Sequence, residues 1–447
     1  MSSRRKARGI AGCILRRLVI YSIVLIGLWF LALNILLIDA EHPSESAAEN
    51  NFLSSLDRQV QISKKIVTKQ TSELSAEAKS AAIRATDQIP GYQPLSSLIE
   101  ASPSEATDSE NSQKFSLKIV GDVQFLLDYV IAGFSKCGTT TLLKWIMRDP
   151  QVRTFKREIH ELVNDNTGRF VERLYDNILE GPPLNVTSIN NKKPFLQGFK
   201  NPEVLQTPLA LQHIHNHWPE TKLIVSVRNP LKWFRSFYNF RLTIGHLHMV
   251  GKDPNALIGS CGNGTKILCT HMGAFHAKLF RLGKTSMESK EELNLLRPFL
   301  STDDVDIWNP TDGSFRNDKI PRMKNKIFFL DLRQMSDTNR TRSRQFRKDL
   351  EQFLGLEHDL TPVFRARPFK HLELSLDDES KQHKINDICD PKYLPLQEGL
   401  THMARQASLW LRNYFLKSED VVVSSREYLE ELLETWMENQ CVNNASK

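Results

Sequence analysis

The stretch at residues 133–141, GFSKCGTTT, decides the fold of this chain because it joins an apolar run to a helix-forming segment. The run LLDYVIA at 126–132 precedes it, and Leu142, Leu143 and Ile146 follow at helical spacing. A glycine-rich turn between a strand and a helix directs backbone N–H groups and the helix N-terminus towards one point, which suits an anion. We therefore expect an anion-binding loop at the start of a folded domain.

The position of the lysine distinguishes this loop from those that bind nucleoside triphosphates. The triphosphate loops follow G-x-x-x-x-G-K-[ST], whereas here Thr139 follows Gly138 and the lysine stands earlier, at Lys136. A lysine at the loop apex can supply the positive charge that magnesium otherwise supplies to a leaving phosphate. The sequence therefore favours group transfer that requires no metal, and a kinase or phosphatase on the same kind of loop stays an alternative.

The strand-helix pattern occurs twice more along the chain. The run KLIVSV at 222–227 leads through Pro230, which suits a first helical turn, into a helix at 231–243. The run KIFFLDL at 326–332 precedes a helix at 344–354 that stops at a glycine. Further helices are predicted at 399–416 and after Ser425. Repeated strand-helix units predict a three-layer α/β sandwich with a central parallel sheet.

The N-terminal part has the composition of a membrane anchor. Residues 18–38 carry no charge and have the length, about 20 residues, that crosses a bilayer as a helix. Basic residues precede this segment in the tail at 1–17, and acidic residues follow it, so the positive-inside rule places the tail in the cytosol and the rest in a lumen or outside the cell. A cleaved signal peptide is the alternative, but its apolar stretch would be shorter.

The segment at 39–121 is rich in Ser, Ala and Glu and predicts a luminal stem that is largely disordered. A helix over 53–83 would give this stem a means of forming a homodimer.

We predict that the remainder, 122–447, forms one catalytic domain. The whole chain has an ordinary globular composition, with 40% hydrophobic and 25% charged residues. The net charge of +7 favours an anionic partner without selecting one.

Several features agree with a luminal domain. Sequons for N-glycosylation begin at Asn185, Asn263, Asn339 and Asn444. Cysteines available for disulfides are Cys261, Cys269, Cys389 and Cys441, and we expect Cys261 to pair with Cys269 across a short glycine-containing turn.

The loop resembles the 5′-phosphosulfate loop, K-x-G-T-T, of Golgi carbohydrate sulfotransferases, including those of heparan sulfate. The resemblance implies a sulfotransferase fold similar to that of P-loop nucleotide triphosphatases. It also implies the donor 3′-phosphoadenosine 5′-phosphosulfate, no metal, and a single-pass type II protein of the Golgi membrane. The donor-binding residues that it implies in the loop are Lys136, Cys137, Gly138, Thr139, Thr140 and Thr141.

A second match concerns the donor's other phosphate. Arg228-Asn229-Pro230 after the 222–227 run, with Ser236 eight residues beyond Arg228, resembles the family's 3′-phosphate site. Ser236 would lie about two helical turns from Arg228, so that a guanidinium and a hydroxyl could bind one phosphate together. We assign only Arg228 and Ser236 to that site.

Two further matches supply catalytic candidates. The stretch FKREIH at 155–160 resembles the family's K-E-x-H, with Arg157 where lysine is usual; Glu158 is the expected base, and His160 is the local alternative. The stretch GFKNP at 198–202 resembles the family's K-x-P, which implies that Lys200 is a second cation near the transferred sulfonate; a surface lysine is the alternative.

The sequence departs from the family pattern in two places. The aromatic pair usual after the histidine is replaced by Glu161 and Leu162, and no glycine- and lysine-rich closing loop is found, the segment at 381–392 being the nearest substitute. The basic charge balance and the K-E-x-H resemblance favour a glycan acceptor, so we expect sulfonate transfer to a hydroxyl or amine of a carbohydrate, glycosaminoglycan-like acidic polysaccharides included, with no nucleic-acid partner. A non-catalytic Golgi membrane scaffold is the alternative from another class.

Overall fold

The computed structural model describes residues 93–103, 115–179, 195–244, 253–261, 268–285, 289–300, 308–309, 314–315, 322–357, 359–361 and 382–441. The predicted tail, the membrane span at 18–38 and most of the stem lie outside these ranges, as do the sequons at Asn185, Asn263 and Asn444. None of the helices within the ranges combines the length and apolar character needed to cross a bilayer.

The elements of the described residues fall into strands and helices whose bounds are as follows. The strands are β1 (Ile99–Pro103), β2 (Phe115–Ile119), β3 (Tyr129–Ile131), β4 (Val152–Thr154), β5 (Leu196–Lys200), β6 (Lys222–Val227), β7 (Trp308–Asn309), β8 (Ser314–Phe315), β9 (Ile327–Asp331) and β10 (Val421–Val423). The helices are α1 (Leu95–Leu98), α2 (Thr139–Ile146), α3 (Thr167–Leu179), α4 (Pro208–His217), α5 (Pro230–Thr243), α6 (Phe275–Leu279), α7 (Lys290–Leu296), α8 (Leu332–Met335), α9 (Arg340–Leu354), α10 (Leu394–Asn413) and α11 (Arg426–Glu434).

The central sheet has the strand order β10-β9-β6-β3-β5-β4, and all its pairings are parallel. Helices cover both faces. Val130 of β3 belongs to one apolar cluster with α3, α4, α5 and α10, while its neighbours Tyr129 and Ile131 belong to a second cluster with α2 and α9. Burial on both faces explains why β6 and β9 read as continuous apolar runs. The predicted central parallel sheet with flanking helices is confirmed.

Several predicted boundaries shift by a few residues. Helix α9 begins at Arg340, four residues before the predicted start, because the Asn339 side chain caps it by accepting from the N–H groups of Thr341 and Arg342. Helix α10 begins at Leu394 instead of 399. Gly355 ends α9 with a φ of 81°, as its position at the end of the periodic segment predicted.

The predicted start of the folded region at residue 122 is too late. Strands β1 and β2 form an antiparallel pair inside the segment assigned to the stem, and a Cβ on Gly168 of α3 would lie 2.2 Å from the Leu117 carbonyl oxygen. The strands FSLKI and IEASP are short and stand in a segment rich in Ser and Glu, so composition concealed the alternation of Phe115, Leu117 and Ile119.

Two disulfides are present in the described residues. Cys261 pairs with Cys269, as the sequence predicted, and Cys389 pairs with Cys441. Cys137 of the glycine loop is a buried free thiol.

Candidate active site

The candidate residues meet at the carboxyl edge of the parallel sheet. Strand β3 lies between β5 and β6, so the loop that follows β3 is flanked by Lys200 at the end of β5 and by Arg228 just after β6. Carboxyl ends of parallel strands form the usual ligand site of open α/β sheets. Lys136 and Arg228, which are 92 residues apart in the chain, thereby come into contact.

Hydrogen bonds to its carbonyl oxygens fix the loop after β3 to the neighbouring strand-helix unit. Three consecutive carbonyls accept hydrogen bonds from side chains of β6 and α5 or the turn between them. These are Trp233 Nε1 to Ser135 O at 2.9 Å, Arg228 Nη1 to Lys136 O at 3.4 Å, and Ser226 Oγ to Cys137 O. The carbonyls are therefore occupied by this strand-helix unit, which leaves the other side of the loop for an anion.

Two glycines make the loop possible. A Cβ on Gly133 would lie 2.2 Å from the backbone nitrogen of Ser226, so only glycine allows the loop to lie this close to β6. Gly138 has a φ of 85° where α2 begins, a left-handed conformation that side chains disfavour. Gly138 also caps α2 without a side-chain hydrogen bond, so the first-turn N–H groups of α2 receive no cap and suit an anion.

Lys136 stands at the apex of the loop with its ammonium over an aromatic ring. Its Nζ lies 4.0 Å from the centroid of the Phe240 ring, and its own backbone φ is 65°. Burial lowers the pKa of Lys136, and the neighbouring charges of Arg228 and Lys200 lower it further. Cations that repel one another around a loop of N–H groups fit an anionic ligand such as a phosphosulfate, which would balance their charge.

Lys200 joins the loop to the expected base. It is 5% exposed, its Nζ donates to Thr140 Oγ1 at 2.9 Å, and it forms an ion pair with the Glu158 carboxylate. The structure thus brings together Lys136, Thr140, Lys200 and Glu158, and the interpretation of Lys200 as a surface lysine is wrong because the side chain is buried.

His160 occupies a different position from Glu158. Its Nδ1 faces the Glu203 carboxylate at 3.4 Å, and both side chains are nearly half exposed. Between the two candidates, the carbonyl of Ile159 accepts a hydrogen bond of 2.6 Å from the buried side chain of Asn201. Sequence reasoning assigned no role to Asn201, although a polar residue directly after a buried strand is a usable signal.

Arg228 and Ser236 lie on the same strand-helix unit. Burial lowers the pKa of Arg228, while Ser236 is partly buried on α5. The Asn229 side chain caps α5 by accepting from the N–H groups of Leu231 and Lys232, and Pro230 occupies the first turn as predicted. Within the described ranges no hydrogen bond joins Arg228 to Ser236, so the structure brings them onto one unit without a direct contact.

The remaining loop residues have mixed exposure. Cys137 and Thr139 are buried, Thr140 is exposed and Thr141 is partly exposed. Burial raises the pKa of the Cys137 thiol well above its ordinary value.

The described part of the chain contains no group of His, Cys, Asp or Glu side chains arranged to hold a metal ion.

A cavity of about 610 Å³ opens beside Glu158, between the segment after β4 and helix α3. Its lining residues are Thr154, Phe155, Lys156, Arg157, Glu158, Ile159, Arg173, Asp176 and Asn177. Lys156 and Arg157 are exposed, while Arg173 Nη1 lies 2.7 Å from the Glu161 carboxylate. We refer to this cavity as the groove.

The segment at 382–392 packs against α5. The backbone N–H and carbonyl of Ile385 bond to the Asn239 side-chain amide, each at 2.9 Å, and Arg235 Nε donates to the same carbonyl at 3.3 Å. This segment, which the sequence indicated as the substitute for a closing loop, therefore lies on the helix that carries Ser236.

Comparison with known proteins gives one domain match. Residues 126–277 match the family model described as a sulfotransferase domain. The match supports a sulfotransferase family. The matched range contains the loop, Glu158, Lys200, Arg228 and Ser236, so sulfonyl transfer in general is the supported chemistry, and a phosphosulfate donor is what such a domain implies.

Two other comparisons add little. No curated protein matches the chain. Among solved structures, a sulfotransferase from Alicyclobacillus acidocaldarius aligns with 64% of this chain and 96% of its own at 12% identity. Its TM-score is 0.35, too low to support a conclusion about fold or activity.

Proposed function

We propose that this protein transfers a sulfonate group from 3′-phosphoadenosine 5′-phosphosulfate to a hydroxyl or amine of a carbohydrate. One observation carries the proposal: the chain of contacts from the anion loop through Thr140 and Lys200 to Glu158, which links a donor site to a carboxylate at the mouth of a groove. Such an arrangement provides the positive charge and the base that sulfonate transfer requires.

The donor would be held at its two phosphate ends. The loop N–H groups, Lys136 and the first turn of α2 suit the 5′-phosphosulfate, and Arg228 with Ser236 suits the 3′-phosphate. Because Arg228 also donates to the Lys136 carbonyl, the two ends of the site are physically connected.

The proposed reaction has a single transfer step. Glu158 accepts the proton of the acceptor O–H or N–H as the acceptor atom forms a bond to sulfur. The bond between sulfur and the bridging oxygen breaks, and its electron pair stays on the departing 3′-phosphoadenosine 5′-phosphate, whose charge Lys136 stabilises. Lys200 lies between Thr140 and Glu158 and can stabilise charge at the reacting sulfonate. Glu158 is preferred over His160 because His160 faces Glu203 instead of Lys200.

The groove is the proposed entrance for the acceptor. Glu158 is part of its lining, and Lys156 and Arg157 present exposed cations on the same segment. These charges favour an acidic glycan of the glycosaminoglycan type over a neutral one.

The proposed location is the Golgi lumen, with the chain anchored by residues 18–38 and a stem that can carry a homodimer contact. The disulfides and the sequons support an oxidising secretory compartment. Imaging a tagged chain together with protease protection of its two ends tests this placement, and a luminal N-terminus would contradict it.

The decisive experiment measures transfer of labelled sulfonate by the full-length chain in detergent micelles. We expect Lys136→Ala and Glu158→Gln each to reduce the turnover by about 10²- to 10³-fold, the range for a lost charge-stabilising donor or a general base. Matched controls are Lys118→Ala and Glu100→Gln, both exposed on the β1–β2 pair, and these should keep wild-type rates.

The same preparations separate the rival functions. Tight binding of 3′-phosphoadenosine 5′-phosphate without magnesium is expected, with weak binding of ATP. Phosphoryl transfer from ATP would support a kinase instead, and an absence of transfer to all glycans tested, neutral and acidic, would support a non-catalytic scaffold.

A further inference from the structure

Lys136 has an unusual neighbour for a lysine that must act on an anion. Its Nζ lies 4.0 Å from the centroid of the Phe240 ring, and within the described residues no carboxylate forms an ion pair with it. Lys200, by contrast, is paired with Glu158. The two lysines of the site are therefore held by different kinds of group.

An aromatic ring is well suited to holding a reactive cation. The face of the ring attracts an ammonium through its quadrupole without contributing a formal negative charge. A carboxylate in the same position would neutralise Lys136 and would repel an incoming phosphosulfate. The ring also offsets part of the cost that burial and the charges of Arg228 and Lys200 impose on the ammonium.

Both partners in this contact are fixed in place. The Lys136 backbone has a left-handed φ of 65°, which the hydrogen bond from Arg228 to the Lys136 carbonyl helps to hold. The Phe240 ring is partly buried and stacks on Phe237 with an interplanar angle of 12° and a centroid distance of 6.5 Å. Phe240 follows Ser236 by four residues on α5, so the two share one face of the helix.

We propose that Phe240 is a positioning residue whose ring holds the Lys136 ammonium in the orientation used for transfer. The role rests on the proposed function and adds to it a residue that neither the sequence motifs nor the family match identifies. Phe240 and Ser236 share a helix face. The ring that holds the Lys136 ammonium and the proposed 3′-phosphate contact therefore have a fixed relation on one helix.

The test compares Phe240→Leu with Phe240→Tyr in the full-length chain. Leucine keeps an apolar side chain but removes the ring, so the ammonium loses its stabilisation and the pKa of Lys136 should fall further. We expect the turnover to drop about three- to thirtyfold, the range for a cation–π contact. The alkaline limb of the pH profile of the turnover should move to lower pH. Tyrosine keeps the ring, so Phe240→Tyr should show the wild-type turnover and the wild-type pH profile.

The pKa of Lys136 can be read without any transfer assay, by measuring acetylation of its amine with acetic anhydride across pH and quantifying it by mass spectrometry. Phe125→Leu is the matched control, because Phe125 is also partly buried but precedes β3, at the opposite edge of the sheet. Phe125→Leu should leave the pKa of Lys136 and the turnover unchanged.

The outcomes distinguish this inference from the proposed function. An unchanged pKa of Lys136 in Phe240→Leu would overturn the positioning role of Phe240. A loss of turnover that Phe240→Tyr fails to restore would also overturn it, because that pattern indicates a packing effect. Absence of sulfonate transfer by the wild-type chain to every glycan tested would instead refute the proposed function, while labelling of the Lys136 amine would still decide whether Phe240 positions the ammonium.

Discussion

At the scale of single residues, the glycine at the start of α2 is required for its left-handed backbone conformation. Gly138 has a φ of 85°, and a Cβ there would lie 2.3 Å from Leu332 Cδ1, the mobile end of a side chain that could shift. The backbone conformation is therefore the main obstacle to substitution. Gly355 shares the same conformation, with a φ of 81°, but a Cβ there would meet only Lys222 Nζ at 3.7 Å.

These two glycines give a matched pair of substitutions. Gly138→Ala and Gly355→Ala should each reduce the free energy of unfolding by about 1–2 kcal/mol, the cost of a left-handed residue with a side chain. Only Gly138→Ala should also weaken binding of 3′-phosphoadenosine 5′-phosphate, since Gly138 shapes the anion loop. Urea unfolding and calorimetric titration measure the two effects, and equal nucleotide affinity in both variants would contradict the role given to Gly138.

The sequence indicated some of these residues and not others. Lys136, Glu158 and Lys200 were predicted because each stands in a short local motif, and the structure brings all three together. Ser226, Trp233 and Phe240 were not predicted. Each acts through a contact with a residue about 90 or more positions away in the chain, and nothing near a serine in a strand or an aromatic in a helix reveals such a partner.

At the scale of elements, the start of α5 determines where Arg228 and Ser236 lie. The buried Asn229 side chain accepts from two N–H groups at this helix start. Asn339 caps α9 in the same way, by accepting from two N–H groups. The two caps are chemically alike, but only the first adjoins the proposed donor site.

We expect Asn229→Ala and Asn339→Ala each to cost about 1 kcal/mol of stability, the usual value of such a cap. Asn229→Ala should in addition raise the KM for the donor, because a frayed first turn displaces Arg228. Since Asn339 is also a sequon, both variants are best compared in protein made without glycosylation. A donor KM that rises equally in both variants would show that the effect is general destabilisation.

Element prediction succeeded where the pattern was long. β6 was predicted residue for residue, and β9 to within one residue at each end, because these largely apolar strands are six and five residues long. β4 and β10 have three residues each, too few for a periodic pattern, and the β1–β2 pair was assigned to the stem.

At the scale of the whole molecule, stability should depend on pH through a buried histidine. His276 is fully buried beside Phe299, its Nε2 lies 3.2 Å from the Leu295 carbonyl, and burial lowers its pKa to about 3. Between pH 6.5 and 3 the unfolded chain binds a proton there and the folded chain does not. Stability should therefore fall as pH falls through this window, by up to about 1.4 kcal/mol per pH unit from this group.

The test compares the pH dependence of unfolding in the wild type and in His276→Gln. Urea unfolding at pH 7, 6 and 5 gives the slope for each protein. The glutamine variant should lose part of the slope even if it is less stable at every pH, and identical slopes would show that His276 is not responsible.

The two disulfides should contribute unequally to stability. Cys389 and Cys441 are separated by 52 positions, and Cys261 and Cys269 by 8. On a loop-entropy estimate, replacing the first pair by serines costs about 4 kcal/mol and replacing the second about 2.5 kcal/mol. Urea unfolding of the two double variants measures the difference, and a larger loss from the shorter loop would contradict the estimate.

The three hydrogen bonds to the loop carbonyls have a consequence for selectivity. They fasten the anion loop to the same strand-helix unit that carries Arg228 and Ser236. We therefore expect the distance between the two proposed phosphate sites to change little when a ligand binds. On this basis the proposed donor site should discriminate among nucleotides by the distance between their phosphates.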